Sequence, residues 1–170
     1  MEKRIAVTGS TKLAGAIIER FDARSLRVEQ QINFDEFDVF INNAHVGFEQ
    51  CYLLERAFNA WKDDSTKTII NISSRAGLPN LSKGYMYAAQ KAALDHMADN
   101  LTYNSDKRCI ITTINLGMLN DDLPSVEYYE VCDLIEYLLS MPHHLEIPRV
   151  FLQHAYNYQR VQKEKKSRYE

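Results

Sequence analysis

Apolar residues along the chain gather in short, near-continuous runs, separated by longer stretches where they recur every three or four positions. The runs at 4–8 (RIAVT), 26–29 (LRVE), 38–42 (DVFIN), 67–73 (KTIINIS), 108–115 (RCIITTIN) and 149–152 (RVFL) are short and rich in β-branched residues, which predicts strands. Helical spacing fills 12–23, 46–62, 85–104 and 126–140 between them, with Cys51, Tyr52, Leu54, Phe58 and Trp61 as the stripe of the second. Strands apolar on both faces, alternating with helices, predict an α/β domain: a doubly wound parallel sheet with helices on both faces. With no repeat, linker or low-complexity tract, one domain is expected over 1–155, and the mixed charges of the tail, 156–170, predict a solvated end.

Composition narrows the partners. A formal net charge of -3 on 170 residues provides no electrostatic reason to expect nucleic acid. The three cysteines, Cys51, Cys109 and Cys132, are widely spaced in apolar surroundings, which predicts buried free thiols in a reducing compartment. No apolar run approaches the roughly 20 residues of a membrane span, and the chain enters its first predicted strand without a signal peptide. A cytoplasmic protein without membrane partners is expected.

Candidate chemistry lies where strands end. The stretch VTGSTKLAGA (7–16) runs from the first strand into the first helix: Gly9 permits a tight turn, Ser10 and Thr11 offer hydroxyls and backbone N–H groups, and Gly15 permits close helix–strand packing. FINNAH (40–45) closes the third strand with two asparagines, and NISSRAG (71–77) carries the next into two serines. In GYMYAAQKAALDHM (84–97) Tyr87 precedes Lys91 by four positions, which places phenol and ammonium on one helix face. The edge of an amphipathic helix would also look like this. His143-His144 has no third metal ligand at useful spacing, and Asp121-Asp122 reads as loop carboxylates or a helix start.

The order T-G-x-x-x-x-x-G, N-N-A, strand-S-S, Y-x-x-x-K resembles the short-chain dehydrogenases/reductases, over roughly residues 4–152. The resemblance implies a Rossmann-like fold, here in an unusually short, minimal form, and an NAD(P)(H)-dependent oxidoreductase that interconverts a carbonyl and an alcohol by hydride transfer. By its mechanism Tyr87 is the acid/base, Lys91 lowers the pKa of the phenol and holds the nicotinamide ribose, and Ser74 hydrogen-bonds the oxygen being transformed. Cofactor contacts are implied for Gly9, Ser10, Thr11, Lys12, Leu13, Asn43, Ala44, His45, Tyr87, Lys91, Gly117, Met118 and Leu119, with no metal.

The departures from the family pattern carry information too. Lys12 and Leu13 fill the candidate positions of the middle glycine, His45 replaces the glycine of N-N-A-G, and Leu116-Gly117 replaces proline-glycine. Matching 48–61 to the family helix that carries a relay asparagine puts Gly47 at that position, without a side chain. The span from the glycine turn to Asn42 is too short for a full strand–helix–strand, and 118–131 is too short for a substrate-covering lid. Lys12 resembles the basic residue that accepts the 2′-phosphate of NADP, whereas Glu29, or Gln30 or Gln31 by register, would meet a 2′-hydroxyl. NADP(H) is the preferred expectation, with NAD(H) the alternative. Relatives pair the helices matching 48–61 and 85–104 into a homodimer or tetramer, and Tyr52, Phe58, Trp61, Met86, Leu94, Met97 and Leu101 supply apolar surface for that. A rival reading on the same fold is a catalytically weak dinucleotide-binding or scaffold protein.

Overall fold

The structure is a computed structural model that describes residues 2–79, 84–156, 163 and 167. The tail predicted at 156–170 thus lies almost wholly outside the described residues. The elements run β1 (Ile5–Thr8), α1 (Leu13–Phe21), β2 (Arg24–Leu26), β3 (Val39–Asn42), α2 (Glu49–Trp61), β4 (Thr68–Ser74), α3 (Tyr85–Tyr103), β5 (Ile110–Leu116), α4 (Tyr128–Ser140) and β6 (Arg149–Leu152). All strand pairings are parallel, in the order β2-β1-β3-β4-β5-β6. The chain winds outward from β1 to β2 and then returns past β1 to β3. The sheet's switch point, where ligands bind in open α/β folds, is therefore the crevice between the carboxyl ends of β1 and β3.

Alternation along the strands divides the core in two. Ile5, Val7, Val39, Ile41, Ile70, Ile72 and Ile114 pack with Leu13, Ile17, Val131 and Ile135 of α1 and α4. Ala6, Phe40, Ile69 and Ile111 pack on the other face with Leu53, Leu54, Ala57 and Trp61 of α2 and with Leu94 and Ala98 of α3. The sheet is covered on both sides, as its continuous apolar strands require. The predicted stripe of α2 is corrected: Gln50, Leu53, Leu54, Ala57 and Trp61 face inward, while Tyr52 is exposed.

The connection from β2 to β3 is short and almost without regular structure. Residues 27–38 carry only a 3₁₀ turn, Phe34–Glu36, which starts where Asp35 donates its N–H to the Asn33 side chain. Phe34 fits edge-on against Phe40 and Trp61, with centroids 5.3 and 5.6 Å away, and Trp61 Nε1 donates to the Phe34 carbonyl. One aromatic plug covers sheet that a helix would otherwise cover. β2 thereby becomes an edge, blunted by its three-residue length and by the Arg24–Glu36 ion pair.

Candidate active site

The first turn is built around Gly9, whose φ of +99° suits glycine and whose α-carbon faces Ala14, Asn43 and Ala44 so closely that a side chain would meet all three. Thr8 ties the turn to the next strand end, because its Oγ1 accepts from the backbone N–H groups of Asn43 and Ala44 at 2.9 and 3.0 Å. Gly9 N–H donates to the Leu26 carbonyl, and Ser25 Oγ donates to the Gly9 carbonyl. Helix α1 starts at Leu13 with no side chain capping its N-terminus. Its first-turn amides are therefore available to an anion, which is the chemistry a dinucleotide pyrophosphate requires.

Several sequence expectations change here. Lys12 sits at φ +56°, ψ -127°, a conformation of tight turns that favours glycine. Leu13 is buried in the core, so what it offers a ligand is backbone. Gly15 is not squeezed against a strand, since a side chain there would touch only the Ser10 carbonyl, at 3.4 Å. The predicted strand 26–29 is shifted to Arg24–Leu26, which moves Glu29 into the following turn; the residue just past the strand is Arg27, 3.7 Å from Glu29. At the far end of the sheet Gly117 allows close passage of β6, since a side chain would strike Gln153. Beyond it Val126 N–H donates to the Met118 carbonyl and Asn120 N–H to the Val126 carbonyl, and Leu119 packs on the core. These bonds turn the loop back on itself, with Leu119 anchoring it to the core.

Ser74 ends β4, and Tyr87 and Lys91 lie on α3. Tyr87 keeps 40% of its surface exposed. Its phenol is nonetheless raised above the ordinary value of 10.0 by burial, while the Ser74 hydroxyl beside it pulls the other way. Lys91 is 3% exposed and points inward, donating to Gln50 Oε1 at 2.7 Å and to the Ile72 carbonyl at 3.1 Å. Its ammonium stands 5.7 Å from the centre of the Tyr87 ring. Burial pushes Lys91 down to about 8, and Asp95 and Cys51 only partly oppose it. The expectation that Lys91 lowers the phenol's pKa is thus corrected for this state: burial of the phenol prevails, and the cation is directed into the fold.

Gln50 is the residue the sequence reading missed. It is 3% exposed, and its Nε2 donates to the carbonyls of Asn42 and Ile72 at 2.8 and 2.9 Å. Asn42 Nδ2 returns a bond to the Gln50 carbonyl and another to Asn71 Oδ1. Gly47 therefore does not leave an empty place beside Lys91, because a side chain from the first turn of α2 fills it. The signal was present: Gln50 falls on the same helical stripe as Leu53, Leu54, Ala57 and Trp61, where a polar residue needs a partner. His45, between Asn43-Ala44 and α2, packs its imidazole edge-on against the Tyr87 ring, with centroids 4.8 Å apart.

The sequence profile of the short chain dehydrogenases matches residues 30–125, more than half of the chain. The chain belongs to the short-chain dehydrogenase family. Solved structures carry the same fold at low identity. Serine dehydrogenase from Escherichia coli superposes with a TM-score of 0.69 at 15% identity, over 90% of this chain and 98% of that one. An alcohol dehydrogenase from the archaeon Thermococcus sibiricus, complexed with 5-hydroxy-NADP, has a TM-score of 0.69 at 13% identity, over 91% and 97%. A metagenomic short-chain oxidoreductase in complex with NADP has a TM-score of 0.64 at 20% identity, over 88% and 96%. No curated protein matches the sequence significantly. For a member of this family the chain is short: among the described residues its sheet has six strands, and the turn at Phe34–Glu36 is the only regular element between β2 and β3. No helix among the described residues is long and apolar enough to cross a membrane, and none of their His, Cys, Asp and Glu side chains form a metal-binding group.

Proposed function

We propose that the protein is an NADP(H)-preferring oxidoreductase that interconverts a small carbonyl compound and its alcohol, with Ser74, Tyr87 and Lys91 as its reaction centre. The observation that carries this reading is the convergence of the three at the carboxyl end of β4, with the Ser74 hydroxyl beside the phenol and the Lys91 ammonium 5.7 Å from the ring. A bound nicotinamide dinucleotide supplies or accepts the hydride. Tyr87 holds the proton that goes to or from the substrate oxygen, and Ser74 orients that oxygen. Lys91, with two of its three protons committed to Gln50 and Ile72, has one left for a ribose hydroxyl. Gly9, Ser10, Thr11 and the uncapped start of α1 receive the pyrophosphate. Asn43, Ala44, His45, Gly117, Met118 and Leu119 would supply the remaining contacts to the dinucleotide. Lys12, in the turn after Gly9, and Arg27, just past β2, supply positive charge for a 2′-phosphate, with Glu29 3.7 Å from Arg27 offsetting part of it.

One observation favours the second reading, a dinucleotide-binding protein with weak or no turnover: the phenol is raised and Lys91 is turned into the fold. Calorimetric titration with NADPH and NADH, followed by an aldehyde and ketone panel, separates the readings. Binding with turnover supports the enzyme, binding without turnover supports the second reading, and absence of binding removes both. A second copy of the chain is the proposed protein partner. Trp61 and Leu94 belong to the core, so the exposed apolar surface on α2, α3 and the loop before α2 includes Val46, Phe48, Tyr52, Tyr85, Met86 and Tyr103. A strictly monomeric mass by light scattering at micromolar concentration would exclude that partner.

A further inference from the structure

We infer that His45 carries the reaction-centre proton between Tyr87 and solvent, acting on the proposed reaction through Tyr87. The inference rests on the reading above and concerns the step after chemistry, when the proton on the phenol must reach water. The lysine side is closed to it. Lys91 is 3% exposed, and the group beyond its ammonium is Gln50, itself 3% exposed, with both amide protons committed to backbone carbonyls. An amide held this way does not shuttle protons.

His45 lies on the open side. Its ring meets the Tyr87 ring at 4.8 Å and 68°, and it is only partly buried. Its backbone position is set by the residues before it, because the N–H groups of Asn43 and Ala44 both bond Thr8 Oγ1. The charged and titratable groups that face the imidazole are Lys91 and Tyr87, both on α3, while the neutral amides of Gln90 on α3 and Gln50 on α2 hydrogen-bond it and pull its pKa the other way. Burial first, and Lys91 second, keep His45 below its ordinary 6.5. At neutral pH the imidazole is therefore uncharged and can accept a proton. In the transfer, through one bridging water, the Tyr87 O–H bond breaks, the water takes that proton and gives one of its own to form an N–H bond on the imidazole, and the electron pair stays on the phenolate oxygen. The imidazolium then gives a proton to solvent. In the family pattern position 45 is a glycine, which can neither accept nor return a proton.

The test compares wild type, His45→Gln and His45→Gly in NADP(H)-coupled turnover from pH 5 to 9, in weak buffer with and without added imidazole. The expected result is a roughly 10²-fold loss of kcat in both variants, loss of the acidic limb of the pH profile, and recovery of His45→Gly but not His45→Gln by imidazole. Wild-type profiles in both variants, with no response to imidazole, would overturn the inference. Carbon-13 labelling of the tyrosine ring provides a readout independent of turnover, with the Tyr87 resonance identified by its loss in Tyr87→Phe. It should show an inflection at the His45 titration that disappears in His45→Gln, and no inflection overturns the coupling. If the wild type binds no NADP(H) while the inflection is present, the redox reading fails and the proton coupling stands.

Discussion

Replacing Tyr87 by phenylalanine removes one hydroxyl and keeps the ring that packs against His45. Stability should change by about 1 kcal/mol or less, cofactor affinity should survive, and carbonyl reduction should fall by roughly 10²–10⁴. Lys91→Met should weaken NADPH binding and turnover together, since one side chain serves both, and calorimetry beside initial rates tells the two variants apart. Undiminished activity in Tyr87→Phe would remove the phenol from the mechanism. Lys12 permits a second single-residue experiment because its backbone and its charge have separate consequences. Lys12→Gly should relieve the +56° φ and raise stability by about 1 kcal/mol, whereas Lys12→Ala keeps the strain. Both should weaken NADPH binding about tenfold or more and leave NADH nearly unchanged, in line with the loss of a charge-assisted hydrogen bond worth roughly 1.5–3 kcal/mol. Equal losses for the two cofactors would return attention to Arg27 and Glu29.

At the scale of elements, the link between β2 and β3 depends on a single aromatic side chain. Phe34 has 6% of its surface exposed and is wedged between Phe40 and Trp61, so one side chain seals this part of the α2 face. Phe34→Ala should lower stability by about 3–5 kcal/mol, read from denaturant unfolding. A loss under 1 kcal/mol would mean that the link is only loosely packed. The length of the span from the glycine turn to Asn42 pointed to a shortened connection, and residues 27–38 carry only the turn at Phe34–Glu36. Which aromatic would seal that connection was not legible, because Phe34 sits in no periodic pattern and its partners lie on β3 and α2. Gln50 was missed for a related reason: its helical stripe was legible, but its partners come from β3, β4 and α3.

For the whole molecule, buried titratable groups shape stability against pH in opposite directions. Folded Lys91 loses its proton near 8 rather than 10.5. Between those values the unfolded chain holds more protons, so stability should rise with pH from about 8 upward. Cys109, pushed by burial up to about 11 from 9.0, keeps a proton that the unfolded chain loses. Its contribution is full below 9 and is lost as pH climbs towards 11, and Cys51, Cys132 and Tyr87, all raised by burial, add the same sign. The thermal midpoint should therefore climb between pH 7 and about 9 and fall beyond it, and Lys91→Met should lose the climb. A midpoint that declines steadily from pH 7 in the wild type would show that Lys91 is not the buried base described here.

What the sequence by itself determined is what short range controls. Apolar runs with β-branched residues made strands, helical spacing made α1 to α4, and the four-residue step from Tyr87 to Lys91 put both on one helix. The order of the motifs was sufficient to identify the family and, with it, the fold. Spacing along a helix does not specify which way a long side chain turns, and that was left to the tertiary structure. Lys91 turned inward because the Ile72 carbonyl and the Gln50 amide offer it partners in a buried setting, where an unpaired ammonium would be far costlier. His45 came against Tyr87 because Thr8, on a neighbouring strand, holds the two residues before it. Each of these side chains was set by partners remote in sequence, brought within reach only once the parallel strands had aligned.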